Sequence, residues 1–474
     1  MKHLTASTFG ATLKMLLDKN HMTPGALGRT IGDTTSVRRA INEMLSARLR
    51  QKVFDAIYAH SAFPDDELEM LYESLEVSRL GKAKFLYFSA LDTWMGSAGF
   101  WPERTGLPPQ SNELATALNR FDSAGELSIL CINCLFKPVM EQFRRLLQNP
   151  DRPVNIRHYL TPVPPEGSIS AYLSLAGELI FDLRYHALIP QNQKEVSPPL
   201  PLYSNLIAIR GTVQSEPHEV ILTVVSGDEI YPFPGRDILG AYDYFLRIIE
   251  RAPAPRQLLI RPAERTDFSS TCLELLGYEM GRKTIILSPG LRNAVMPPAV
   301  FRAALRSDAS LTSDMLNRMI SLHTKRFQYS ISTRKPRVLI TSLCGIQQFL
   351  KNGKTQDHPP VLRALEPDER LSLLDVILRH AAGNQKLSFR LLKAGSPQPP
   401  CQLCCHNQLA VTFHYASHPN RMTAPYVTLL SESFADEMSD YLTEVVMETC
   451  CLPASESLAR LKQLRDEYAA AIGR

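Results

Sequence analysis

Residues 23–41 read TPGALGRTIGDTTSVRRAI, and this stretch decides how the N-terminal part of the chain folds. Thr23 is a residue type that caps helices, and Pro24 fits the first turn of a helix because its missing N–H group has no helical partner there. Gly28 stands where two helices would approach closely, and Gly32 suits the left-handed turn after a helix. The pattern predicts a short helix that ends in a tight turn.

A second helix is predicted directly after the turn, with Asp33 or Thr34 as its cap. Its buried side is expected to hold Val37, Ala40 and Ile41. Apolar residues at helical spacing predict a preceding helix over 8–20 and a following helix over about 48–60. The apolar face of the following helix is predicted to contain Leu49, Val53 and Ile57.

The positive charge of the chain is concentrated at its N-terminus. The 474 residues carry a formal net charge of +4, yet residues 1–60 hold nine basic and four acidic side chains, which gives +5. The remaining 414 residues hold 43 basic and 44 acidic side chains, which gives −1. This asymmetry indicates a polyanionic partner for the N-terminal segment.

The order helix, short helix, glycine turn, helix, helix is that of a helix-turn-helix domain. Leu27, Gly28, Gly32 and Val37 resemble the corresponding positions of the Cro/repressor-like (XRE) class, over about an eighth of the chain. In that class the buried apolar residue commonly lies six positions after the turn glycine, whereas here Val37 lies five positions after Gly32. The resemblance implies a small all-α helix-turn-helix head, double-stranded DNA as a partner, and a homodimer that binds two half-sites.

In such a head, the exposed side of the second helix of the pair would face the major groove. Hydroxyl groups bind phosphates or several base edges, arginine binds guanine through two hydrogen bonds, and the amino end of the helix favours phosphate. Basic residues of the next helix would contact the DNA backbone. The candidate DNA-binding residues are therefore Thr34, Thr35, Ser36, Arg38, Arg39, Arg48, Arg50 and Lys52.

Residues 63–80, FPDDELEMLYESLEVSRL, predict an acidic helix. Since its carboxylates would repel DNA, this helix marks the end of the DNA-binding domain at residue 62. It is expected to act as a linker. Two alternatives are that it packs on the head or pairs with the same helix of a second copy. Strand and helix patterns then alternate, which predicts a large mixed α/β body with subdomains at 81–252 and 253–474. The pattern restarts near 254–284, but the two parts do not match closely enough to establish a duplication.

Several segments of the body have specific predictions. A long helix is expected near 168–187, a hairpin-like region at 205–232 and a helix near 236–251. Two helices, 431–449 and 454–471, are expected to finish the chain. The last carries an apolar stripe that could cover its own sheet or a second copy, namely Leu458, Leu461, Leu464 and Tyr468.

Two Cys-x-x-Cys pairs, at 131/134 and 401/404, are candidate zinc ligands together with Cys405 and His406. They lie far apart in apolar segments, which favours buried, reduced thiols, so no metal and no cofactor is expected. GYEMGRKT (277–284) lacks the glycine spacing of a phosphate-binding loop. HTK (323–325) resembles the His-x-Lys of phospholipase D-like enzymes, but Ser330 stands where their Asp is expected, so no catalytic site is predicted.

Together these patterns predict a DNA-binding transcriptional regulator whose body senses an unknown small-molecule or protein signal, forms the dimer, or both. No signal peptide or membrane-spanning segment is recognised, so the protein is expected in the cytoplasm without a membrane partner. The alternative is an enzyme or defence effector of unrecognised chemistry that uses the head for autoregulation.

Overall fold

The protein is a multidomain α/β protein that divides into two compact units, residues 1–90 and 91–474. The structure is a computed structural model. It describes residues 8–96, 113–160, 169–189, 205–224, 230–232, 240–251, 256–260, 273, 276–306, 312–332, 335–357, 361–383, 386–396, 401–414 and 426–473. No helix within these ranges has both the length and the apolar character needed to cross a bilayer.

The described part of the first unit is helical. Its elements are α1 (Phe9–Lys19), α2 (Pro24–Thr30), α3 (Thr34–Ile41), α4 (Ala47–Ala59) and α5 (Asp65–Leu80). A further helix, α6 (Lys82–Gly96), runs across the division between the units. Apolar residues from α1 to α5 form one core, including Phe9, Leu27, Val37, Ile57 and Leu71.

The acidic segment 63–80 is α5, the fifth helix of this unit, rather than a linker. Leu68, Leu71 and Leu75 belong to the same core as α1 to α4. The buried carboxylate of Glu67 receives a hydrogen bond of 2.7 Å from the Asn20 amide and lies 2.6 Å from the ammonium nitrogen of Lys19. The predicted boundary at residue 62 therefore moves to residue 90, because apolar packing joins α5 to the preceding helices.

One prediction about α4 is wrong. Leu49 is 42 % exposed and lies outside the core, whereas Val53, Phe54 and Ile57 are buried. The helix turns Phe54 inward in place of Leu49, and Phe54 also packs against Tyr72 of α5 with ring centroids 5.5 Å apart.

Gly28 fixes how closely α2 and α3 approach. A Cβ atom built at this position would lie 2.3 Å from the Cα of Thr34, whereas one at Gly25 of the same helix would meet nothing closer than 3.9 Å. Only a residue without a side chain permits this contact between the two backbones.

We therefore expect Gly28→Ala to destabilise the first unit by about 1–3 kcal/mol, because the added methyl group forces the two helices apart. Differential scanning calorimetry of the full-length protein measures the melting of this unit. Gly25→Ala is the matched control and should be neutral or stabilising by up to about 1 kcal/mol, since alanine favours helix. Equal melting temperatures for the two variants would contradict the close approach.

The described residues of the second unit form two seven-stranded sheets. The first has the order β6-β5-β4-β1-β2-β3-β7, and the second has the order β11-β10-β9-β12-β13-β14-β8. The strands of the first sheet are β1 (Leu127–Ile132), β2 (Val154–Tyr159), β3 (Tyr185–Ile189), β4 (Leu206–Val213), β5 (Glu216–Val224), β6 (Ile230–Pro232) and β7 (Arg256–Gln257). Those of the second are β8 (Leu259–Ile260), β9 (Thr284–Ser288), β10 (Arg337–Thr341), β11 (Leu387–Leu391), β12 (Gln402–His406), β13 (Ala410–His414) and β14 (Tyr426–Leu430).

The two sheets repeat one topology. In the first, β1, β2 and β3 are parallel, and β4, β5 and β6 follow as antiparallel neighbours on the other side of β1. In the second, β9, β10 and β11 are parallel, and β12, β13 and β14 follow on the other side of β9. The restart of the sequence pattern thus corresponds to a structural duplication that residue matching did not reveal.

Helices cover the sheets. In the first half these are α7 (Glu113–Leu118), α8 (Lys137–Leu147), α9 (Ile169–Ala176) and α10 (Ala241–Arg251). In the second half they are α11 (Pro298–Ala303), α12 (Ser313–Ser332), α13 (Leu343–Asn352), α14 (Pro367–Gly383), α15 (Glu432–Tyr441) and α16 (Ala454–Ala471). The duplication extends to α10 and α15, which pack on β4–β5 and on β12–β13 respectively.

One short segment joins the sheets. β7 pairs with β3 of the first sheet and β8 pairs with β14 of the second. Between them, the Leu258 N–H donates to the Ala187 carbonyl oxygen at 2.9 Å, and the Leu258 carbonyl oxygen accepts from the Leu430 N–H at 3.2 Å. The predicted subdomain boundary at 252/253 lies just before this segment.

Two helix predictions in the body need correction. Instead of one long helix near 168–187, α9 ends at Ala176 and a 3-10 helix, Gly177–Phe181, begins at Gly177, which has a φ of +48°. The strand β3 then begins at Tyr185. The helix predicted over 431–449 is α15 followed by a π-helical segment, Leu442–Cys450.

The apolar stripe of α16 lies on the core of its own half. Leu461 and Leu464 are buried there, and Leu458 and Tyr468 pack against the same core. The stripe is therefore packed within its own chain and is not available for contact with a second copy.

Candidate nucleic-acid interface

The turn between α2 and α3 forms from local hydrogen bonds. The Thr23 hydroxyl accepts from the Ala26 N–H at 3.1 Å, which caps α2. Gly32 has a φ of +79°, the left-handed conformation that the sequence predicted. The Asp33 carboxylate accepts from the Ser36 N–H at 2.9 Å, so Asp33 rather than Thr34 caps α3.

Three of the five candidate residues of α3 lie on the side opposite its buried residues. Val37 and Ala40 are fully buried, whereas Thr35, Arg38 and Arg39 are exposed. Thr34 and Ser36 are half-buried, and the Thr34 backbone contacts Gly28. The solvent-facing side of α3 thus carries two guanidinium groups and the hydroxyl of one exposed threonine.

The three basic residues of α4 divide into two kinds. Arg48 and Lys52 are exposed. Arg50 is half-buried, with its Nη2 3.4 Å from Oε2 of Glu43, and the other oxygen of Glu43 accepts from the Gly10 N–H at 2.8 Å. Arg50 is therefore held by contacts within the unit, so we base the interface on the other two.

Asp33 changes the electrostatics expected at the start of α3. Its carboxylate occupies the amino end of the helix, where the sequence predicted a phosphate. Hydrogen bonds from Ser36 hold the pKa of Asp33 below its ordinary value. The carboxylate therefore stays ionised at neutral pH and opposes a second anion at this helix end, which leaves the guanidinium groups as the main attraction for phosphate.

Asp33→Ala should lower the local stability of α3 by about 1 kcal/mol at neutral pH, because the cap is lost. The folded-state pKa is depressed, so this stabilisation is complete above the unfolded-state pKa of about 4 and is lost as the pH falls through the folded-state value. Hydrogen exchange of the amides of 34–41 in the full-length protein measures the difference, which should shrink below about pH 4.

Asp55→Ala is the control for this variant. Asp55 is exposed and accepts one hydrogen bond, from Gln51 on the same helix at 2.8 Å. Its replacement should change stability by less than about 0.5 kcal/mol. The capping role would be ruled out if Asp33→Ala and Asp55→Ala had the same effect at neutral pH.

The cysteine pairs do not form a metal centre in the described part of the chain. Eight cysteines are described, and all are free thiols. No group of three or more His, Cys, Asp or Glu residues within the described ranges has the arrangement of a metal site. Cys401, Cys404 and Cys405 are buried on β12 or beside it, and burial raises the pKa of each thiol.

The other two motifs are parts of regular structure. GYEMGRKT leads through a turn at Gly281, with a φ of +72°, into β9. HTK lies within α12, where His323 is buried. The His323 ring stacks on Phe301 with a centroid distance of 3.9 Å, and its Nε2 forms a hydrogen bond of 2.9 Å with the Met296 carbonyl oxygen. Burial lowers the pKa of His323 to about 4, so its imidazole is neutral at physiological pH.

The second unit has a cavity of about 670 Å³ at the carboxyl ends of β10 and β11. Apolar residues including Leu343 and Leu391 line it together with Lys393, Glu456 and Arg460. The Lys393 ammonium donates to the Thr449 carbonyl oxygen at 2.7 Å. In parallel α/β sheets, ligands bind beyond the carboxyl ends of strands, and this cavity has the volume of a small-molecule site. Sequence patterns gave no signal for it, because its residues come from distant segments.

Comparison with known proteins gives no family assignment. No family model matches the chain, and no curated protein matches it. Among solved structures, phosphatidylserine synthase from Haemophilus influenzae Rd KW20 is 9% identical, covers 76% of this chain and 97% of its own, and has a TM-score of 0.27. Polyphosphate kinase from Porphyromonas gingivalis is 10% identical, and the match covers 72% of this chain and 51% of the kinase chain, with a TM-score of 0.20. Similarities this weak carry no argument about fold or function.

Proposed function

We propose that the protein is a DNA-binding transcriptional regulator in which α2 and α3 form a helix-turn-helix and α3 enters the major groove. The observation that carries this proposal is the exposed side of α3. Arg38 and Arg39 are exposed to solvent there, whereas Val37 and Ala40 on the other side are buried in the core. Arginine at such a position reads guanine through two hydrogen bonds.

The distribution of charge supports the same assignment. Arg48 and Lys52 at the exposed surface of α4 add positive charge to that of α3. Residues 1–60 carry a net charge of +5, which attracts a polyanion over a range of about 10 Å at 0.1 M salt. The acidic residues of α5 oppose it, so we place the DNA on the side of the unit formed by α3 and the start of α4.

The second unit would provide the signal input and the dimer contact. The cavity at β10 and β11 supports a small-molecule ligand, and a regulator of this class binds as a dimer because one small head buries too little surface for specific affinity. Since the α16 stripe packs within its own half, the dimer contact would use another surface.

Arg38→Ala and Arg39→Ala should each weaken specific DNA binding by about 1–3 kcal/mol if the guanidinium groups read bases. Sites are first selected from random duplexes with the full-length protein, and affinities are then measured by gel shift. Arg302→Ala removes an equal charge from an exposed position on α11 and should leave the affinity unchanged. Full affinity in the Arg38→Ala, Arg39→Ala double variant would exclude α3 from the interface.

Arg48→Ala should act differently, because a phosphate contact carries no sequence information. We expect a similar loss of affinity for all duplexes and a decrease of about 1 in the slope of log K against log salt concentration. Fluorescence anisotropy over a range of potassium chloride concentrations measures this slope. Lys462→Ala, at an exposed position of α16, is the control, and a slope that is the same in Arg48→Ala and in wild type would contradict the phosphate contact.

A further inference from the structure

The second half of the large unit contains a cluster of ionisable side chains in its interior. Each member is 4 % exposed or less, although burial of charged groups is costly unless they are paired. The cluster consists of Glu279, Arg292, His323, Arg326, Arg337, Asp357 and His406.

Three of these residues or their neighbours, Arg337, Thr284 and His406, lie side by side where β9 and β10 begin and the antiparallel β12 ends. Arg337 is the first residue of β10 and pairs in register with Thr284, the first residue of β9. Thr284 pairs on its other side with His406, the last residue of β12. Glu279 precedes β9 and receives hydrogen bonds from Arg326 of α12, with donor–acceptor distances of 3.3 and 3.4 Å.

The carboxylates do not balance the guanidinium groups. Burial raises the pKa of Glu279, but the arginines Arg326, Arg337 and Arg292 oppose it and lower that pKa to about 2, so this carboxylate is ionised. With Asp357 the cluster has two carboxylates against three guanidinium groups, a formal charge of +1. Burial lowers the pKa of His406 to about 3 and that of His323 to about 4, so neither imidazole changes this sum at neutral pH.

Several donors of the cluster lack partners. Arg292 has its Nε 3.6 Å from Oδ2 of Asp357, and none of its three nitrogens has a hydrogen-bond partner among the residues that the structure describes. Within the same ranges, this is also true of Nε and Nη1 of Arg337, both ring nitrogens of His406 and Oγ1 of Thr284. Oδ2 of Asp357 and Oε2 of Glu279 are the unpaired acceptors of the cluster, 3.6 Å from Nε of Arg292 and 3.7 Å from Nη1 of Arg337. Buried polar groups are nearly always satisfied, so the remaining guanidinium N–H groups, the Thr284 hydroxyl and the one N–H of the neutral His406 ring require a further acceptor.

We propose that Arg292, Arg337, His406 and Thr284 form an internal binding site for a tetrahedral oxyanion, the phosphate group being the ligand chemistry that fits. A singly charged anion would bring the formal charge of the cluster to zero. Its oxygens would accept from the planar guanidinium groups, which match the geometry of phosphate, and from the Thr284 hydroxyl. This inference concerns the second unit alone and does not depend on DNA binding by the first.

The test compares thermal unfolding of the full-length protein in chloride and in inorganic phosphate at equal ionic strength. Phosphate also stabilises proteins non-specifically, so the informative quantity is the difference between wild type and variant. The Tm of the wild-type protein should rise by several degrees as phosphate is added, and the rise should reach a plateau at millimolar phosphate concentrations. Arg292→Met should lose the saturable gain, whereas Arg302→Met, at an exposed position of the same half, should keep it.

Thr284→Val provides a second variant in case Arg292→Met does not fold. It keeps the shape of the side chain and removes one donor, so saturation should require several-fold more phosphate, while the Tm in chloride stays equal or rises because a buried unpaired hydroxyl is lost. Equal phosphate-dependent gains in wild type and both folded variants would overturn the proposal.

Phenyl phosphate distinguishes a site for the free phosphate ion from a site for the phosphoryl group of an organic ligand. A saturable gain with both compounds, lost in the variants, supports a site for the phosphoryl group of an organic ligand. A gain with inorganic phosphate alone supports a site for the free ion, which the depth of burial favours. Absence of a saturable gain with either compound, together with absence of phosphate released on acid denaturation of the purified protein, would reject the site.

Discussion

The large unit depends on the peptide group of Leu258, which hydrogen-bonds to one sheet through its N–H and to the other through its carbonyl oxygen. Leu258 is fully buried, so both groups must be paired within the protein. Because β7 and β8 lie on either side of this residue, the chain passes from the edge of the first sheet to the edge of the second within five residues, 256–260. The connecting segment occupies one edge of each sheet, next to β3 in the first and next to β14 in the second.

Local signals account for what the sequence predicted correctly. The caps at Thr23 and Asp33 and the left-handed Gly32 depend on neighbours three or fewer residues away, so the pair α2–α3 can be derived from the chain itself. The strands β1, β9 and β10 are short, continuous and largely apolar runs, which a local pattern also indicates. The turn at Gly177 was missed, because the apolar residues on either side of it fit a helix as well as a strand.

Long-range pairing accounts for what the sequence did not predict. The duplication is a property of strand order, which no pattern of neighbouring residues encodes. The role of α5 was also left open: its acidic surface indicated a linker, with packing on the head as an alternative, and the buried Leu71 and the pair between Glu67 and Lys19 join it to the first unit. Of the candidate interface, sequence identified the exposed arginines of α3, but not that Arg50 is held by Glu43 from the preceding turn.

The same residue type is used in two opposite environments in this protein. Arg38 and Arg39 remain hydrated, so their attraction to an anion is weak for each contact and is screened by salt. Arg292 and Arg337 are removed from water, where an unbalanced charge is costly and an anion of fitting shape is correspondingly favourable. On our two proposals, added phosphate would act oppositely on the two units: it would weaken binding of a polyanion at the first and occupy the cluster in the second. Sequence assigns both sets of arginines the same charge, and only burial distinguishes the hydrated arginines of α3 from those of the interior cluster.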